Sequence, residues 1–188
     1  MNVRGLALGL LSLLVACRTV SPVQTAEKLW SALQPLCGSA FAGRLVEGTE
    51  ASDAAIGEQQ LVMHVRACSD NEIRIPFYVG ENRSRTWVIT RTGAGLRLKH
   101  DHRHADGTAD AITQYGGDAL PGDDDRSVDF YADEYTAALI PAAKTNIWTL
   151  ALSPGKTFTY ALRREATGRR FRVEFDLTKR VATPPPPW

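Results

Sequence analysis

The chain has 188 residues, 22 Lys+Arg against 21 Asp+Glu for a formal net charge of +1, 44% hydrophobic residues and three cysteines. Balanced charge without a basic run argues against a nucleic-acid binder, whose surface needs clustered Lys and Arg to neutralise phosphates. Length and apolar fraction suit one domain with a sizeable core, and no internal repeat divides it.

Arg4 is followed by an apolar run from Gly5 to Ala16, which predicts a secretory signal too short to span a bilayer as a mature helix. Leu14-Val15-Ala16-Cys17 resembles the bacterial lipobox. That resemblance implies a signal peptide over residues 1–16, a lipid on Cys17 as the first mature residue, and Arg18 in place of a retention aspartate. The implied location is the bacterial cell envelope: anchored by acyl chains to the membrane, in the outer membrane facing the periplasm, with plain secretion as the alternative. Removing residues 1–16 takes away only Arg4 among the charged residues, leaving 21 Lys+Arg against 21 Asp+Glu. With Cys17 assigned to lipid, Cys37 and Cys68 remain as an even pair, and outside the cytosol such a pair predicts a disulfide.

Residues 17–24 read as a tether, 25–180 as a single domain and 181–188 as a Pro-rich tail. Thr25 caps a predicted helix through Gln34, with Leu29, Trp30 and Leu33 on one face and Pro35 at its end. The period then changes to two. Strands are predicted over 41–47, 61–68, 72–79, around Trp87 and Ile89, over 96–104 and over 109–115. In the second, His64 points outward with Arg66 and Cys68, opposite Leu61, Met63 and Val65. Pro76 in the third asks for an edge or a bulge. Residues 116–126, rich in Gly and Asp, read as a loop. A short strand over 128–131 and a helical turn over 134–139 lead to strands at 147–152, 157–162 and 169–178, the last with Phe171, Val173, Phe175 and Leu177 inward.

Nine or ten short strands with hairpin-length connections predict a mainly β fold: an antiparallel up-and-down meander closing into a barrel, or a sandwich, with one N-terminal helix. In architecture this resembles the calycin and lipocalin-like barrels, although the Gly-x-Trp opening strand of lipocalins is absent.

Within the meander, His100, His102 and His104 alternate along one strand face with Leu96 and Leu98, while Arg97, Lys99, Asp101 and Arg103 take the other. Asp106-Gly107 suits a two-residue type I′ turn. That turn would set Leu98 opposite Tyr115, His100 opposite Thr113, His102 opposite Ala111 and His104 opposite Ala109, with Arg103 facing Asp110 and small residues leaving room beside the imidazoles. The HDHRHxDG line, together with Ile75-Pro76-Phe77-Tyr78-Val79-Gly80, resembles a family of small exported bacterial proteins; it implies export and no activity.

His-x-His spacing brings α-carbons about 6.7 Å apart, within reach of one ion, whereas three alternating histidines span about 13 Å. A zinc site would therefore combine His102 with His100 or His104 and an acid among Asp110, Asp118 and Asp123. A haem pocket would rest on fold analogy alone. The commoner role is pocket lining by neutral imidazoles. Arg83 and Arg85, in the segment 81–85, can hold an anion or carboxylate, although such a loop also carries arginines for solubility. The triplet Asp123-Asp124-Asp125 lacks EF-hand spacing and reads as a solvated loop. Asn82-Arg83-Ser84 matches a glycosylation sequon, which the bacterial origin implied by the lipobox resemblance makes a chance match, and Ser39 lacks a nucleophile elbow. Trp87, Trp148, Phe158 and Tyr160 read as core.

The leading expectation is a lipid-anchored envelope barrel that binds a small ligand or envelope component without catalysis, at His100, His102, His104 and Asp110. The alternatives are a metal-binding protein or metal-dependent enzyme on the same histidines, and an interaction lipoprotein using its sheet face or tail.

Overall fold

The computed structural model describes residues 22–121 and 126–188; the predicted signal over 1–16, Cys17 and the Asp123–Asp125 triplet lie outside them. Helix α1 (Pro22–Leu33) starts three residues before the predicted cap. Proline suits a first helical turn because its missing N–H has no partner to lose there. Thr25 is therefore inside the helix and buried, beside a face formed by Ala26, Leu29, Trp30 and Leu33. A 3-10 turn, Gln34–Leu36, carries Pro35 and ends at Cys37.

Eleven strands follow among the described residues: β1 (Ala40–Gly48), β2 (Leu61–His64), β3 (Ala67–Cys68), β4 (Glu72–Val79), β5 (Asn82–Thr92), β6 (Gly95–His102), β7 (Tyr115–Pro121), β8 (Ser127–Tyr131), β9 (Asn146–Ser153), β10 (Thr157–Arg164) and β11 (Arg169–Val181). Two short helices interrupt them, α2 (Ala51–Gly57) and α3 (Glu134–Leu139). From β4 to β11 each strand pairs with its successor, β11 pairs with β1, β1 with β2, and β2 with β4. The sheet thus closes on itself as an antiparallel up-and-down barrel of ten strands, with β3 appended to β4. Closure removes the free edges that an open sheet would expose. Of barrel and sandwich, the chain adopts the barrel, with the predicted helix at its start.

The predicted second strand is split. Val65 leaves the β4 edge, donating to Ser39 O and accepting from Gly38 N, and the chain rejoins β4 at Ala67. Pro76 sits on β4 between the β2 and β3 pairings, where no ladder bond is asked of it. His64 does alternate away from Leu61 and Met63, yet it is 3% exposed and so does not reach solvent. The outer face is covered there by a second apolar cluster of Ala40, Val62 and Tyr78 with Val181.

The predicted loop over 116–126 is strand as far as Pro121. The Gly-Gly pair that suggested a loop is needed for close approach: a Cβ on Gly116 would stand 1.9 Å from Leu98 O, and one on Gly117 1.6 Å from Tyr131 O. Thr136 of α3 then clasps Gly116, accepting from its N–H at 2.7 Å and donating to its carbonyl at 2.8 Å.

The histidine hairpin keeps its strand but not its predicted register. Its turn spans Ala105–Gly107, with Gly107 at φ +85° and His104 N donating to Thr108 O. Arg103 bridges to Ala109, and residues 110–114 then bulge outward, Gln114 taking φ +58°. The net slip places His100 opposite Tyr115 and Leu98 opposite Gly117. Arg103 consequently pairs with Asp101 at 3.3 Å and not with Asp110.

The disulfide joins Cys37 to Cys68, fastening the end of the helical segment to β3. The tail lies along the barrel wall: Tyr78 Oη donates to Pro185 O at 2.9 Å and Arg83 Nη1 to Pro186 O at 3.0 Å.

Candidate functional site

The two ends of the barrel are unlike. Helix α1 packs against β6, β7, β8 and β9 and meets Gly95 and Leu152 at one end, where Leu29, Trp30 and Leu33 join the core. At the other end the barrel opens into a cavity of about 340 Å³. That lies at the small end of the range used by ligand pockets.

Strand register builds this cavity in two tiers. The deeper tier takes Trp87, His100 and Tyr115 from successive paired strands, and Tyr160, Trp148 and Phe171 from the far wall. One residue pair nearer the mouth on the same face, Arg85 stands beside His102, and Arg164 beside Asn146 and Arg169. Helix α2 and its N-cap supply Asp53 and Glu50 to the rim, the turn after α3 supplies Ile140 and Ala143, and the bulge of the histidine hairpin supplies Ile112.

The tier of aromatics is continuous. Trp87 stacks on Phe77 at 5.0 Å and on Tyr160 at 4.4 Å, while His100 stacks on Tyr115 at 4.6 Å and tilts toward Trp148 at 5.1 Å. His100 Nδ1 lies 3.1 Å from Tyr115 O, which can only accept, so Nδ1 carries the proton. Nε2 is then the acceptor for the Tyr160 hydroxyl at 2.9 Å. Burial pushes the His100 pKa down to about 3 and the Tyr160 phenol well above its ordinary value. Both partners are neutral across the physiological range. A second pair, Tyr115 Oη with His102 Nε2 at 3.0 Å, sits nearer the mouth. There burial raises the Tyr115 pKa to about 12, and burial with the Arg85 charge lowers that of His102.

The rim carries the charge. Arg169 is held by Glu50 and, at 2.9 Å, by Asp53, whose carboxylate is 1% exposed. Arg164 donates to Asn146 Oδ1 at 2.7 Å. Arg85 Nη1 is buried and has no hydrogen-bond partner among the described residues.

Of the predicted site residues, His100 and His102 reach the cavity. His104 is exposed on the turn. Asp110 is half-buried and uses Oδ1 to accept from Ile112 N at 2.9 Å. Asp118 stands on the outer face with Arg97, and Asp123 lies outside the described residues. Among the described residues no cluster of three His, Cys, Asp or Glu side chains could hold a metal ion. Phe158 is core as expected, whereas Trp87, Trp148 and Tyr160, read as core, also line the cavity. Arg164, Arg169 and the acids of α2 were not foreseen. Extending the inward alternation of Phe171 back to Arg169, and of Tyr160 on to Arg164, would have found the two arginines.

Fold and site define a closed up-and-down β-barrel, plugged by a helix at one end and open at the other into a cavity with an aromatic floor and a cationic rim. No family model, no curated protein and no solved structure matches the chain. Among the described residues no helix is long and apolar enough to cross a membrane.

Proposed function

We propose that the protein is a non-catalytic binding module that takes a small, largely apolar molecule into the mouth of its barrel, and that a lipid on Cys17 holds it in the bacterial cell envelope. The observation that carries this reading is the cavity itself, a space of about 340 Å³ walled by Trp87, Trp148, Tyr160 and Phe171 and reached past polar side chains. Apolar walls with a few placed polar groups are the usual composition of a small-molecule site. The absence of catalysis is inferred from the deep tier: His100 and Tyr160 satisfy each other and are both driven away from their ionised forms, an arrangement suited to hydrogen bonding and poorly suited to proton exchange near neutrality.

Titration with the neutral dye N-phenyl-1-naphthylamine tests the binding role. Saturable emission at one site per chain, lost in Leu162→Trp, which fills the cavity wall, is the expected result. Emission that never saturates, or that survives Leu162→Trp unchanged, overturns it. For the anchor, metabolic labelling with a clickable palmitate analogue should mark the full-length protein and not Cys17→Ser.

A further inference from the structure

We infer that the molecule taken into the barrel mouth carries an anionic group, a carboxylate or its like, that docks on Arg85. The inference rests on the reading of the cavity as a ligand site and adds to it the chemical class of the ligand.

Three guanidiniums line the cavity against two carboxylates, Glu50 and Asp53, and both carboxylates are taken by Arg169. Arg164 is oriented by a neutral amide, that of Asn146. Arg85 is placed by strand geometry. It shares a face with Trp87 and Ile89, which are buried in the core, so its side chain enters the barrel just where the core ends and the cavity begins. It stands between Phe77 on β4 and His102 on β6, both cavity-lining and neither an acid. A guanidinium nitrogen withdrawn from water needs an acceptor, and Nη1, the buried end of this half-buried side chain, finds none among the described residues. A carboxylate meets this need with a fork geometry matched to guanidinium, and its apolar body would then lie on the aromatic floor below. The guanidinium and the rings are thus offered to one molecule from adjacent tiers of a single cavity.

The test uses a matched pair, 2-naphthoate and 2-naphthamide, which differ in charge and hardly in shape, as competitors of bound N-phenyl-1-naphthylamine. In the full wild-type domain 2-naphthoate should displace the dye at concentrations about tenfold lower than 2-naphthamide, the size expected for a hydrogen bond to a charged group. In Arg85→Gln the ratio between the two competitors, each referred to the dye affinity measured in that variant, should fall to about one. Equal competition in the wild type, or a carboxylate preference retained in Arg85→Gln, overturns the inference and leaves the binding site standing. Failure of the dye to bind the wild type overturns the underlying reading as well. If Arg85→Gln does not fold, the same comparison in Arg85→Met, which keeps the length of the side chain and removes the guanidinium, decides.

Discussion

His100 illustrates how burial selects a protonation state and how that state is linked to stability. Its folded pKa, about 3, lies below the ordinary 6.5 because burial disfavours the imidazolium. The unfolded chain therefore binds a proton between those values that the folded chain does not, so the contribution is complete above pH 6.5 and is lost as pH falls toward 3. The slope from one such group is at most about 1.4 kcal/mol per pH unit. Burial lowers His64 and His102 in the same sense, so the wild type should lose stability from pH 6.5 to 4.5, before most carboxylates titrate. His100→Gln removes one of the three contributions. Thermal melts at intervals across this range should show the gap in Tm between wild type and His100→Gln narrowing as pH falls; a constant gap would contradict the assignment. The inward alternation of Leu96, Leu98, His100 and His102 was legible in the sequence because a strand period of two is a local property. From sequence Arg85 is an anion candidate on a loop. Only the closed barrel shows that it points inward at the level where the core gives way to the cavity.

Helix α2 is a short element that depends on its surroundings. Seven residues are too few to sustain a helix by propensity. Glu50 and Asp53 form a capping box, and Asp53 also anchors Arg169 across the rim. Replacing Asp53 with alanine leaves Arg169 without its most buried partner and should cost about 2 to 3 kcal/mol in chemical denaturation, with new proteolytic cleavage confined to residues 50–58. No pattern in Ala51-Ser52-Asp53-Ala54-Ala55 announces this, because the stabilising contact lies 116 residues away. The hairpin register was hidden for a different reason. Asp106-Gly107 does mark the turn, but Asp106 accepts from Thr108 N and the turn takes three residues, after which the 110–114 bulge shifts the pairing further. Gly116-Gly117 likewise signals flexibility in sequence and serves close backbone approach in the fold. Gly117→Ala puts a methyl group into Tyr131 O and should prevent folding or lower Tm by more than any other single substitution named here, as calorimetry would show.

At the scale of the whole molecule, the barrel exists because β1 pairs with both β2 and the last strand, so the two ends of the sequence close the same wall. The disulfide secures this seam from the helix side. It closes a separation of 31 residues, and its loss in the double variant Cys37→Ser, Cys68→Ser should cost about 3 to 4 kcal/mol by chain entropy, measured by urea unfolding. With α1 packed at one end, the cavity lies at the other, where the aromatic floor and Arg85 meet. A barrel with a leading helix is legible in the sequence as an architecture; that the helix packs across one end, and which end stays open, is not, because both depend on where α1 packs. The most direct measurement is a crystal structure of the protein with 2-naphthoate. Electron density for the rings against Trp148 and Tyr160 with the carboxylate on Arg85 is the expected result. Density elsewhere on the barrel, with the mouth filled by its own side chains, would contradict it.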